Sequence, residues 1–131
     1  MSKGTKIAVV TISLTLGLAL LGPLAWVRFE RWAVGIHQRS VKNSLAGWER
    51  EFEKIRSKKE AFRAIDMLRY AQRYYVPGPG YRGSPDTESA LEGQRQQTLA
   101  TIAKALEEFT GKDYGLDIAK WEAWRDGQQR D

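Results

Sequence analysis

The stretch IAVVTISLTLGLALLGPLAWV, residues 7–27, decides the fold, because none of its twenty-one residues carries a charge. As a helix it would be about 31 Å long, and the hydrocarbon core of a bilayer is about 30 Å thick. We therefore predict a transmembrane helix over residues 7–27. A cleaved signal peptide is the alternative, but this run exceeds the usual apolar core of about 7–15 residues and no clear A-x-A cleavage site follows it. We expect an uncleaved anchor.

Charged residues flank the predicted span on both sides, and aromatic residues accompany them at its C-terminal end. Residues 1–6 form a short tail that contains Lys3 and Lys6. Aromatic and basic residues are typical of the interface where a span leaves the membrane. The predicted interface and partner-contact residues are Trp26, Phe29, Trp32, Arg28 and Arg31.

The orientation of the span follows from two opposed signals. Four cations lie soon after the span, against two lysines before it, and the positive-inside rule then favours a cytoplasmic C-terminal part. A short basic tail that leads directly into an apolar run is instead typical of a signal-anchor with its N-terminus inside. Because of this second signal, we expect a protein of the bacterial inner membrane whose soluble part lies in the periplasm. A cytoplasmic soluble part is the alternative.

The composition excludes several kinds of site and suggests some partners. The chain has no cysteine, which excludes disulfides, thiolate metal sites and a cysteine nucleophile. The net charge is +5, yet residues 1–75 hold fourteen Lys and Arg against six Asp and Glu, whereas residues 76–131 hold seven against ten. The cations alternate with Glu at helical spacing and do not form a run, so we expect membrane lipids as a partner and no nucleic acid.

Residues 28–75 read as an interfacial segment followed by one long amphipathic helix. Apolar residues recur in steps of four and three, a period that is typical of a helix with one buried face. These residues are Val41, Leu45, Trp48, Phe52, Ile55, Phe62, Ile65 and Leu68. Gly35 and Gly47 are the weak points of this helix, and any bend or break is expected at one of them.

A Pro/Gly loop over residues 76–87 separates that helix from residues 88–131, which contain a second helix and a C-terminal cap helix. Ser84 and Pro85 are typical of a helix start, and Gly111 of a helix end. The short loop predicts an antiparallel helical hairpin, so the fold class is all-α. The predicted core of the helical domain is Trp48, Phe52, Leu99, Ile102, Leu106, Trp121 and Trp124.

The C-terminal segment carries the most distinctive pattern of the chain. From Leu106 to Trp124 it reads L-x-x-F-T-G-K-D-Y-G-L-D-x-x-x-W-x-x-W. This resembles a terminal element of bacterial HEAT-repeat-like proteins, with the pattern L-T-G-x-D-[FY]-G-x-D-x-x-x-W. The resemblance covers about twenty residues and implies a structural helical cap. Because no repeat array precedes the element, it does not imply an extended solenoid surface.

Three features could carry chemistry, and each has a simpler explanation. His37 is the only histidine and is better explained as an interfacial side chain than as an axial ligand of a haem or pigment. Asp113 and Asp117 are better explained by helix capping than by cation binding. The segment GPGYRG lacks the Lys-Ser/Thr ending of a phosphate loop. We therefore expect neither an enzyme nor a bound cofactor, metal or small-molecule substrate.

These observations predict a non-catalytic accessory or scaffold subunit of a multisubunit membrane complex. Photosynthetic reaction-centre or light-harvesting assemblies and respiratory assemblies contain many small single-pass helices, so a bioenergetic complex is the natural example. The alternative is a membrane-tethered module that binds an anionic polymer or lipid headgroups. In that case Arg69 and Arg73, which alternate with Tyr70, Tyr74 and Tyr75, would matter for binding.

Overall fold

A computed structural model describes residues 2–76, 78 and 83–130 of the chain. Over these residues it is built from helices and contains no strand, which confirms the all-α prediction. The helices are α1 (Lys3–Glu51), α2 (Lys58–Arg73), α3 (Pro85–Thr110) and α4 (Ile118–Arg130). Several residues of the predicted Pro/Gly loop lie outside the described part.

Helix α1 is 49 residues long and contains the whole apolar segment. It runs without interruption through Pro23, although a proline removes one backbone hydrogen bond from a helix. The hydroxyls of Thr11 and Thr15 donate to the carbonyls of Ile7 and Thr11 at 2.9 and 2.8 Å, so these polar groups are paired within the helix. In the described part of the chain, α1 is the one helix long and apolar enough to cross a membrane.

The predicted single helix over residues 28–75 is wrong in one respect, because the chain reverses direction at residues 52–57. Neither Gly35 nor Gly47 breaks α1. The reversal places Phe52 and Ile55 in the core, where they are 3% and 9% exposed. Because these two turn residues occupy core positions, the helical spacing of apolar residues continues through the turn. The turn therefore cannot be recognised from the apolar pattern.

A capping motif at the start of α2 explains where the chain resumes its helix. Ser57 has an extended backbone, and its hydroxyl accepts from the Glu60 N–H at 3.2 Å. The Glu60 carboxylate accepts from the Arg56 N–H at 2.8 Å. A serine followed three residues later by glutamate is a known start signal, because the two side chains satisfy N–H groups that have no partner in the first helical turn.

Replacing Ser57 with alanine should lower the free energy of unfolding by about 1 kcal/mol, because the Glu60 N–H loses its acceptor. Chemical unfolding of the whole chain in detergent micelles, followed by tryptophan fluorescence, measures this change. Ser44→Ala is the control, since the Ser44 hydroxyl donates only to the Ser40 carbonyl inside α1. Equal stability of the two variants would contradict a capping role for Ser57.

A three-helix bundle is formed by the whole of α2, the whole of α3 and the C-terminal half of α1. Successive helices of the bundle run in opposite directions. Helix α2 is antiparallel to α1, because Arg63 near the start of α2 pairs with Glu51 at the end of α1, whereas Tyr75 just after α2 lies against His37, fourteen residues earlier. Helix α3 runs parallel to α1, as Gln38 contacts Glu88 at one end and Glu49 contacts Thr101 at the other. The predicted antiparallel hairpin is therefore present between α2 and α3, and α3 is the main packing partner of both α1 and α2.

The core of the bundle contains most of the predicted residues. Phe52, Leu99, Ile102, Leu106 and Trp121 are buried, with Ile102, Leu106 and Trp121 completely inaccessible. Trp48 and Trp124 are half-buried and pack against the core from outside.

Helix α4 lies against α2 and is held there by polar and aromatic contacts. Arg125 pairs with Asp66 at 2.8 Å. The rings of Phe62 and Trp124 meet edge to face at 6.1 Å.

Candidate functional site

The end of the apolar segment carries a row of three exposed aromatic rings on α1. The ring centroids of Trp26 and Phe29 are 6.1 Å apart, and those of Phe29 and Trp32 are 5.8 Å apart. All three side chains are more than half exposed. We call Trp26, Phe29 and Trp32 the aromatic row. The row lies on α1 alone and continues the apolar surface of that helix past Val27.

Two rings of the aromatic row, those of Phe29 and Trp32, point away from the bundle. An α-helix turns by about 100° per residue, so Phe29 and Trp32 lie roughly opposite the face of α1 that carries Val41 and Leu45. Val41 and Leu45 are buried against the other helices. The bundle therefore covers one side of α1 and leaves Phe29 and Trp32 on the other side free to contact lipid or another protein.

Two cations and one carboxylate accompany the aromatic row. Arg28 and Arg31 are exposed on the adjacent faces of α1. Glu30, the only acidic residue in the first forty-eight, accepts from the Trp26 Nε1–H at 2.8 Å. This bond fixes the Trp26 indole and turns the carboxylate toward it. The surface therefore combines apolar rings with positive charge, which suits a water–lipid boundary or an acidic partner surface.

A polar cluster between α1 and α3 fixes their relative register, and it was not predicted from the sequence. The Glu49 carboxylate accepts from the side chains of Gln94, Gln97 and Thr101 at 2.7, 2.9 and 3.3 Å. The buried Thr98 hydroxyl donates to the Leu45 carbonyl at 3.1 Å. A shift of α3 by one turn would take the buried Thr98 hydroxyl away from the Leu45 carbonyl and separate Glu49 from its three donors.

Arg95 is a second polar residue that the sequence did not mark as buried. Its side chain is only 4% exposed, and its guanidinium donates to the carbonyls of Ala71 and Tyr75 at 2.7 and 3.4 Å. A further N–H pairs with Glu92 at 3.2 Å. The last carbonyls of a helix have no partner within the helix, and the negative end of its dipole favours a cation there. Arg95 of α3 thus caps the C-terminus of α2.

The residues of the C-terminal motif have structural roles in the turn between α3 and α4. Gly111 and Gly115 have positive φ angles of 71° and 52°, as expected for left-handed turn positions. Asp117 accepts from the Lys120 N–H at 3.2 Å, which confirms that it caps α4. The Trp121 indole N–H donates to the Gly115 carbonyl at 2.9 Å, and Tyr114 packs on Trp121 at 4.9 Å. The resemblance to HEAT-like caps stays a prediction.

The basic and aromatic face of α2 borders an open groove of about 680 Å³. Arg63 lies over the Phe52 ring at 5.6 Å and pairs with Glu51. Arg69 pairs with Glu122 at 3.1 Å. Two of the three arginines here are therefore neutralised by the chain itself, and only Arg73 has no carboxylate within ion-pair distance among the described residues.

The remaining sequence candidates are separated in space and do not combine into one site. His37 lies at one end of the bundle, with its ring edge-to-face with Tyr75 at 4.7 Å. Asp117 caps the start of α4, and Asp113 is exposed. Most of the GPGYRG segment lies outside the described residues.

The geometry defines a helical bundle carried on the end of a long apolar helix, with an aromatic and basic surface at their junction. Comparisons with protein-family models, with curated proteins and with solved structures found no match to this chain.

Proposed function

We propose that this chain is a single-pass membrane protein that acts as a non-catalytic accessory or scaffold subunit of a larger membrane complex. The observation that carries the proposal is the continuity of α1 from the apolar segment into the bundle. A helix of this length is about 74 Å long, and no loop interrupts it. Such a helix would hold the bundle at a fixed height and rotation relative to the membrane. A scaffold subunit requires this fixed placement, whereas a tethered binding module does not.

The free surface of α1 supports the same proposal. The candidate span has no buried residue in its most apolar window, so its whole circumference is available to lipid and to neighbouring helices. Phe29 and Trp32 extend this surface beyond Val27 on the side opposite the bundle. We propose that partner subunits contact α1 along this side while lipid headgroups contact Arg28 and Arg31. A bacterial inner membrane with the bundle in the periplasm is the arrangement we favour.

Purification of the tagged chain from its native membrane in mild detergent tests the proposal. We expect stoichiometric recovery with a large membrane complex, identified by mass spectrometry. An absorption spectrum of the same sample shows whether that complex carries pigment or haem. Recovery of the chain as a lone monomer would contradict the scaffold role and favour the tethered binding module.

Alanine insertions between Ala33 and Val34 test whether the rotation of the bundle matters. Two inserted residues turn the bundle by about 200° and raise it by about 3 Å, whereas four turn it by only about 40° and raise it by about 6 Å. We expect the two-residue insertion to lose most of the co-purifying partners and the four-residue insertion to keep most of them. Equal recovery with both insertions would show that a fixed orientation is unnecessary.

A further inference from the structure

Five cations of α1 share one face of the helix beyond the apolar segment. An α-helix turns by about 100° per residue, and the five positions fall within a sector of about 100° around its axis. We call this set the basic face, and its members are Arg28, Arg31, Arg39, Lys42 and Arg50. All five side chains are exposed. The basic face therefore extends for about 33 Å from the end of the apolar segment along the bundle.

No carboxylate of the described chain lies within ion-pair distance of the basic face. Every ion pair among the described residues takes its cation from α2, α3 or α4. The three glutamates of α1 are engaged elsewhere. Glu30 accepts from the Trp26 indole, Glu49 accepts from three side chains of α3, and Glu51 pairs with Arg63. The charge of the basic face is therefore available to an external partner.

An exposed apolar stripe lies beside the basic face. Phe29, Trp32 and Ile36 are 55%, 58% and 43% exposed. They fall within about 60° of one another around the axis, and Trp32 is only about 20° from Arg39. Apolar residues bordered by polar and charged ones are the usual arrangement of a protein–protein interface. This side of α1 therefore combines the two features that a protein partner requires.

The upper part of this surface lies beyond the lipid headgroups. Arg39 and Lys42 follow Val27 by twelve and fifteen residues, which is about 18 and 23 Å along the helix. The headgroup region extends about 5–8 Å beyond the hydrocarbon on each side. If α1 spans a bilayer, as proposed above, headgroups account for Arg28 and Arg31 but not for Arg39 and Lys42.

We propose that an acidic amphipathic helix of a partner subunit packs along α1 over residues 29–42. Its apolar side contacts Phe29, Trp32 and Ile36, whose spacing of three and four is the one by which helices recognise each other. Its Asp or Glu side chains pair with Arg39 and Lys42, and this complementarity selects the partner and its register. The inference rests on the proposed scaffold role and states the chemistry of the partner.

Zero-length cross-linking of the complex tests this inference. The tagged chain is purified with its partners from the native membrane and treated with a water-soluble carbodiimide, which joins a lysine amine to a carboxylate in contact with it. We expect an amide bond between Lys42 and an Asp or Glu of a partner subunit, mapped by mass spectrometry. Arg39→Lys should add a second bond from position 39. Lys58, an exposed lysine at the opposite end of the bundle, is the control and should form no bond to a partner.

Charge reversal tests whether the basic face contributes to assembly. The double variant Arg39→Glu and Lys42→Glu should recover about tenfold less partner, the factor that a loss of about 1.4 kcal/mol gives, because two attractions become repulsions. Lys58→Glu with Lys59→Glu changes the net charge equally at the start of α2 and should leave recovery unchanged. Circular dichroism verifies that each variant is folded.

The outcomes separate this inference from the scaffold role. Recovery of the chain as a lone monomer would overturn both. Recovery of the complex without the Lys42 cross-link, or with unchanged recovery of partner by the double variant, would overturn only the acidic partner. Bonds from Lys42 to a second copy of this chain would also overturn it and assign the face to self-association. Loss of co-purifying phosphatidylglycerol in the double variant, with the partner retained, would assign the face to anionic lipid instead.

Discussion

Replacement of Arg95 by methionine should lower the free energy of unfolding by about 3 kcal/mol. The variant keeps much of the side-chain volume but removes the donors to the Ala71 and Tyr75 carbonyls. The Ala71 carbonyl belongs to the last turn of α2, and loss of a charge-assisted bond to a buried carbonyl costs about 1.5–3 kcal/mol. Loss of the favourable interaction with the α2 dipole adds to this cost.

The matched control for Arg95 is the neighbouring Gln96. Gln96→Met removes only an exposed hydrogen bond to Glu92 of 2.7 Å and should leave stability nearly unchanged. Arg95→Lys retains the charge but has no planar fork, so it should fall between the two. Chemical unfolding of the whole chain in detergent micelles, followed by tryptophan fluorescence, measures all three. Similar stabilities for the methionine variants at positions 95 and 96 would show that Arg95 does not cap α2.

Replacement of Trp121 by alanine should lower the free energy of unfolding by about 4 kcal/mol. Trp121 is completely buried and is the largest fully buried side chain in the described part of the chain. The change leaves a large cavity between α4 and the rest of the bundle, and it leaves the Gly115 carbonyl without the indole N–H. We expect α4 to detach first, because its other described contacts with α2 are two ion pairs, worth little each, and the ring contact between Phe62 and Trp124.

Trp32→Ala is the control for Trp121, because it removes the same side chain from an exposed position on α1. It should leave the unfolding of the bundle unchanged. Trp121→Phe keeps a buried ring but removes the N–H donor, so it should cost about 1 kcal/mol for the lost hydrogen bond, together with a smaller packing defect. Equal stability of the alanine variants at positions 32 and 121 would contradict the packing of α4 described above.

The elements that the sequence predicted well are those governed by local rules. An uncharged run of twenty-one residues can form only a helix if it is to enter a membrane, because every backbone polar group must then be paired within the segment. Ser84 and Pro85 start α3, and Gly111 ends it, because each residue meets a requirement of the adjacent helical turn. The Ser57–Glu60 signal was equally local and was overlooked, because Phe52 and Ile55 continued the apolar period through the turn.

The candidate site was predictable only in part. The aromatic row, with Arg28 and Arg31, could be predicted from the sequence. The exposure of these side chains depends only on their position along one helix, next to the apolar segment. The cavity of about 370 Å³ lined by Gln38, Tyr75 and Leu91 could not, because these residues lie in α1, just after α2 and in α3, and nothing in their spacing marks them as neighbours.

The sequence alone determined that this chain is helical, where its apolar segment lies and how α3 begins and ends, since these depend on residues within a turn or two of each other. Tertiary structure decided the reversal at 52–57, the parallel packing of α1 on α3 and the burial of Gln38, Arg95 and Thr98. The physical reason is that burial of a polar side chain depends on a partner from another helix. Arg95 is stable inside the bundle only because α2 ends beside it and leaves carbonyls without donors.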